Sequence, residues 1–155
     1  MEIRNKKGEV LFQVPDDWDP IFGQPDLLAG ADLTGAQPRG VDLGNADLTR
    51  TCLVGADLYM AFLNRIVLRG ANLEGACLRG ADLEDSDLRD ANLRNADLGM
   101  SAIGTSTRLG GANLAGANIA GANFYRALYD PTTIFPEGFD AAAHAMIMQE
   151  WPIPR

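Results

Sequence analysis

The sequence predicts a repeat solenoid, a chain that turns by a constant angle every five residues around one column of leucines. Two observations predict it. The stretch from Ala31 to Thr105 divides into fifteen consecutive five-residue units, among them Ala31–Gly35 (ADLTG), Ala71–Gly75 (ANLEG) and Ala76–Gly80 (ACLRG), with Leu third in thirteen of the fifteen. The period itself is the second. A helix turns about 100° per residue, so a five-residue step would scatter the leucines around its axis. A flat strand alternates faces with period two, so an odd repeat would send successive leucines to opposite sides. The chain must therefore bend within each unit, in the order in, out, in, turn, turn.

The other positions of the unit agree. The first residue is Ala in ten units, and otherwise Val41, Thr51, Ile66, Ser86 or Ser101, as a crowded inner wall requires. The fifth is Gly, Asn or Asp in ten of fifteen, residues that tolerate a left-handed backbone. The third forms the core column, in which Leu43, Leu63, Leu83 and Leu93 are representative inward positions, each burial contributing roughly 1.5–3 kcal/mol before entropy. Pro38 and Ile103 replace Leu, and Pro38 forfeits one bond between coils. The second position, outward, is repeatedly Asp (32, 42, 47, 57, 82, 87, 97) or Asn (72, 92). These carboxylates arise from the repeat and are expected to accept bonds from turn amides, not to form a catalytic or metal pair.

The flanks read as caps. Residues 1–30 contain a hairpin, Glu2–Arg4 with Glu9–Val14 around the turn Asn5–Gly8, then Pro15–Pro20 and the apolar Trp18, Ile21 and Phe22, expected to cover the first coil. The solenoid occupies 31–130, with one residue inserted near 106–111, where the Leu arrives late as Leu109. Residues 131–155 form a second cap with Phe135 and Phe139 as plugs. There Asp140 would N-cap a short helix over Ala141–Gln149 that carries the only histidine, His144, as a surface or capping residue. The end containing Met146, Ile147 and Trp151 could instead make a dimer contact, leaving monomer and C-terminal dimer both open.

Tandem A(D/N)LxG units resemble the pentapeptide-repeat family, and Ile134-Phe-Pro-Glu-Gly-Phe139 is similar to the ending of many cyanobacterial, hence bacterial, members. The resemblance implies an all-β, right-handed quadrilateral β-helix, four units to a coil and about five coils, closed by the short C-terminal helix.

Composition sets bounds on function. A chain of 155 residues with 22% charged and 46% hydrophobic residues suits one domain, and no apolar run suggests a signal peptide or membrane span, so the expected location is the cytoplasm. Cys52 and Cys77 fall in different columns and coils, which argues against a disulfide. The net charge is −8, but residues 31–130 hold twelve acids against nine arginines, a balance of only −3. That offers no basic patch for nucleic acid and only weak imitation of a polyanion.

No nucleophile–base pair, phosphate-cradling loop or metal-spaced cluster is present, so no enzyme, cofactor or metal is expected. The leading reading is a protein–protein interaction module using the outward positions where the repeat turns apolar, Val54, Tyr59, Met60, Phe62 and Val67, with Tyr59, Met60 and Phe62 straddling one corner. The alternative, which the resemblance supplies, is a DNA-mimicking modulator of a type II topoisomerase such as gyrase. It would act through outward acids at Asp82, Glu84, Asp85, Asp87 and Asp90, interleaved with Arg79, Arg89 and Arg94.

Overall fold

A computed structural model describes residues 2–13 and 28–149. Parallel bridges join residues twenty apart, Asp32 to Cys52 and Asp42 to Phe62 for example, so four five-residue units close one turn and the rod has four sides. The first face runs Asp32, Cys52, Asn72, Asn92, Asn118, and the second Asp57, Cys77, Asp97, Asn123. The third runs Asp42, Phe62, Asp82, Arg108, Leu128, and the fourth Asp47, Val67, Asp87, Asn113, Ile134. Each rung is short, yet both of its backbone directions are used: Leu63 N donates to Asp82 O at 2.7 Å while Phe62 N donates back to Val41 O at 2.8 Å. Stacking, not strand length, satisfies the backbone.

The inward register is as the pattern requires. Leu43, Leu63, Leu83 and Leu93 are buried with the first-position alanines in one continuous core. At the second position each Asp or Asn accepts from the amide two residues on, as in Gly44 N to Asp42 Oδ1 (3.0 Å) and Arg94 N to Asn92 Oδ1 (3.2 Å). The outward carboxylates are therefore turn-formers. At the fifth position the backbone is left-handed even where sequence gives no sign of it, at Arg50, Met60 and Arg65 (φ 58°, 58° and 57°). Pro38 has no N–H to give Asp57 O, and Gln37 N instead donates to Arg4 O at 2.7 Å, tying the first coil to the N-terminal hairpin.

That hairpin pairs β1 (Glu2–Arg4) with β2 (Val10–Gln13), with Gly8 N donating to Asn5 O across the turn. Ile3 is buried in the core cluster and covers the open end of the leucine column. Trp18, Ile21, Phe22 and Trp151 lie outside the described residues.

Two expectations change. The insertion is larger than one residue: Asp82 bridges Arg108 and Asp97 bridges Asn123, each pair twenty-six apart, so the coil after Met100 carries six extra residues, 101–106. The unit Ser101–Thr105 is not a face of the rod but an excursion closed on itself by Ser101 N to Thr105 O (2.7 Å) and Thr105 N to Ser101 Oγ (3.0 Å). Nor is Ala141–Gln149 a helix. After one turn capped by Asp140 Oδ1, Ala145 turns left-handed (φ 53°) and the chain becomes β4 (Ile147–Met148), parallel to β3 (Leu128–Tyr129). The reason is the solenoid's open edge: Ala127 O and Tyr129 O need donors, and Ile147 N and Gln149 N supply them at 2.9 and 2.7 Å. Phe135 and Phe139 do pack over this end. Phe139 lies 5.3 Å from the buried Phe124 and 4.7 Å from Phe135, and His144 stacks on it at 4.4 Å.

Candidate functional site

The residues singled out from sequence fall at different places on the rod. Tyr59 and Met60 end the second face and Phe62 begins the third, so these three do share a corner. Val67 is on the fourth face and Val54 ends the first, so neither joins them.

Each member of the corner is held differently. Arg39 lies 5.2 Å over the Tyr59 ring while its Nε bonds Asp57 Oδ2 at 2.7 Å, so Tyr59 is half-buried beneath an ion pair. Met60 is half-buried and extends along the rod, its sulfur within 2.6 Å of where a Cβ would stand on Gly80. Phe62 occupies an outward position between Asp42 and Asp82 and remains 52% exposed. An aromatic ring held open on a rung flanked by carboxylates gives the fold nothing, since burial is what would make it stabilising.

The excursion adds what the sequence pattern hid. It leaves the rod at the same corner two coils further on and packs back on the coil between: the Cβ position of Gly80 lies 3.1 Å from Ser101 Cβ and 3.4 Å from Thr105 O, alongside the Met60 sulfur. Thr107 anchors it from inside, accepting Gly80 N at 2.9 Å and reaching Leu78 O and Gly99 O at 3.0 Å each. Arg79 Nε donates to Met100 O at 3.1 Å and braces the outer side. On this scaffold Ile103 is 75% exposed, the most exposed large apolar side chain among the described residues. Its place in the repeat as a substitute for Leu disguised it as a core residue.

Acids on the neighbouring faces are largely paired. Arg108 reaches Asp82 Oδ2 (3.1 Å) and Glu84 Oε1 (2.6 Å), Arg89 reaches Asp87 Oδ2 (2.5 Å), Arg79 reaches Asp97 (3.5 Å) and Arg65 reaches Asp85 (3.8 Å). The hydrogen bonds from Arg89 hold the Asp87 carboxyl below the usual carboxylate range, against a smaller opposing effect of burial. Among the described residues no group of His, Cys, Asp or Glu is placed to hold a metal ion, and no helix is long and apolar enough to cross a membrane.

A four-sided parallel solenoid with an inner leucine column and an apolar corner defines a class, the five-residue β-solenoids. Within that class this chain belongs to the pentapeptide repeat family, whose model matches eight copies over residues 27–59, 66–99 and 105–128. The crystal structure of alr5209, a pentapeptide repeat protein from Nostoc PCC 7120, is 36% identical, covers 72% of this chain and 86% of its own, and superposes with a TM-score of 0.65. AT2G44920, a pentapeptide repeat protein from the Arabidopsis thaliana thylakoid lumen, is 32% identical over 63% of this chain and 70% of its own, with a TM-score of 0.41. QnrB1, a plasmid-mediated fluoroquinolone resistance protein, is 16% identical over 79% of this chain and 77% of its own, with a TM-score of 0.39. No curated protein matches the chain. The likeness to alr5209 and the family match make the rod a right-handed β-helix.

Proposed function

We propose that the protein is a non-enzymatic scaffold that binds another protein through the Met60 corner, with Phe62 and Ile103 as its principal apolar contacts. The observation that carries this reading is the exposure of both side chains, 52% for Phe62 at the corner and 75% for Ile103 on the rod's only long excursion among the described residues, which leaves the same corner two coils further on. Tyr59 and Met60 support the contact from beneath, being fixed by Arg39 and Gly80, so little ordering entropy remains to be lost on binding. Rigid aromatic and aliphatic anchors of this kind concentrate binding energy at interfaces.

The ion pairs weigh against imitation of DNA as the basis of binding. Asp82, Glu84, Asp85 and Asp87 each face an arginine, so the local field is that of a mixed surface. The test is affinity capture with wild-type protein and with the double variant Phe62→Ser/Ile103→Ser. A partner retained by wild type in both 50 and 200 mM salt and lost by the variant supports the apolar corner. Inhibition of gyrase supercoiling that survives in the variant and disappears at the higher salt would replace it with the mimicry reading.

A further inference from the structure

Diagonally across the rod, the corner between the fourth and first faces carries a cleft of about 400 Å³ lined by Thr49, Arg50, Arg69, Gly70 and Asp90. Its two arginines are among those of the solenoid whose guanidinium groups carry no ion pair among the described residues, as Arg94 and Arg126 also are, but here two such groups line one cleft. Arg39, Arg65, Arg79, Arg89 and Arg108 are all ion-paired, whereas the side chains of Arg50 and Arg69 have no hydrogen-bond or ion-pair partner among the described residues, the two residues being joined only through the backbone, Arg50 N to Arg69 O at 3.0 Å. Arg69 acts on the Asp87 carboxylate only through space, because Arg89 already occupies that carboxylate with two bonds of 2.8 and 2.5 Å.

We propose that this cleft binds a small phosphomonoester carrying a free hydroxyl, its phosphate held between Arg50 and Arg69. The two guanidinium groups come from adjacent rungs of the solenoid, whose spacing is about 4.8 Å, a separation a single phosphate spans. Guanidinium forks match phosphate oxygens in pairs, and the Thr49 hydroxyl supplies a further donor at the rim. Gly70 lines the cleft beside Arg50, whose stem packs 3.6 Å from its Cβ position. Asp90 then selects within the class. A second phosphate beside it would meet a carboxylate, whereas a ligand hydroxyl can donate to it, which favours a monoester of a polyol or sugar over inorganic phosphate or a polyphosphate.

The experiment is a titration of isotope-labelled protein with inorganic phosphate and, separately, with glycerol 3-phosphate, following the amides of Thr49, Arg50 and Gly70 by NMR. Saturable shifts of these amides are expected with both probes, glycerol 3-phosphate binding at least several-fold tighter. The Arg50→Ala/Arg69→Ala variant should weaken both by more than about tenfold with an unchanged thermal midpoint, and Arg94→Ala should behave as wild type. Asp90→Ala, which removes the acceptor, should abolish the preference between the probes while retaining binding. Shifts that fail to saturate, binding undiminished in the double arginine variant, or equal affinity for the two probes in wild type would overturn the proposal.

Discussion

The Met60 sulfur packs against Gly80, one coil further along the rod, so near that a Cβ on Gly80 would stand 2.6 Å from it. The same relationship recurs wherever a non-glycine residue takes the left-handed corner position above a glycine. Asp85 covers Gly111, Asp90 covers Gly116, Asn95 covers Gly121, and the Arg50 stem approaches Gly70. Corner glycines here serve twice, allowing the backbone its positive φ and leaving room for the side chain stacked on them.

Gly80→Ala therefore combines two penalties. Its φ of 69° strains any L side chain, and the new methyl meets both Met60 and Ser101. A loss of roughly 2–3 kcal/mol is expected in chemical denaturation, against about 1 kcal/mol for Gly75→Ala, whose φ of 65° is similar but whose Cβ position is open. Equal losses would mean that Met60 moves aside freely.

Leu83 sits fully buried at the middle of the column, its amide bonded to Arg108 O at 2.8 Å. Leu83→Ala should cost about 2–5 kcal/mol through the cavity it leaves, and Arg94→Ala, on the exposed surface, under about 0.5 kcal/mol. Similar values for the two would show that the inward register is wrong.

Ser86 is buried among the inward alanines, and its hydroxyl has no hydrogen-bond partner. Ser86→Ala keeps the size and removes the unpaired group, so stability should rise by about 1 kcal/mol. A decrease in the denaturation midpoint would point to a partner for the hydroxyl.

How much of this was legible in the sequence depends on what a repeat displays. The Leu and Ala positions show the core directly, because only inward residues must be apolar and small. The outward Asp and Asn show their turn role because the acceptor lies on the residue itself. An insertion shows only its remainder after division by five, so six extra residues at 101–106 pass for one, and Ile103 passes for a core residue while standing at the surface. Ala141–Gln149 reads as helical from composition, but the unpaired carbonyls of Ala127 and Tyr129, one coil earlier and beyond any local signal, decide for a strand. At the site, Tyr59, Met60 and Phe62 were visible as departures from the repeat, whereas Arg50 and Arg69 were not, since an unpaired arginine looks the same in sequence as a paired one.

Acid should loosen the rod in a defined window. Asp87, hydrogen-bonded by Arg89, titrates below the usual range. So does Asp130, where burial pushes the carboxyl up but bonds from Thr132, Gly111 and Thr133 outweigh it. With folded values depressed below an unfolded value of about 3.9, their stabilisation is present above about pH 4 and is lost as the pH falls through the folded values. Denaturation midpoints should therefore be level from pH 7 to 5 and fall below pH 4. An Asp87→Asn/Asp130→Asn variant should be weaker at pH 7 with a shallower acid slope, and an unchanged slope would assign the effect to other carboxylates.

The excursion offers the sharpest separation of fold from binding. Removing residues 101–106 joins Met100 to Thr107, which restores the twenty-residue coil and keeps Thr107 at an inward position, where it is already buried and bonded to Leu78 O and Gly99 O. The neighbouring rungs need no change, because Asp97 already bridges Asn123 and Asp82 already bridges Arg108 on either side of the cut. What is lost is the Ser101 and Thr105 packing on Gly80 and the exposed Ile103. The shortened loop offsets part of this through reduced closure entropy. The deletion variant is thus expected to keep the circular dichroism spectrum and to stay within about 1 kcal/mol of wild-type stability. It should nonetheless lose partner capture as fully as Phe62→Ser/Ile103→Ser does. Capture at wild-type level by a stably folded deletion variant would remove Ile103 from the interface and leave Phe62 to account for it alone.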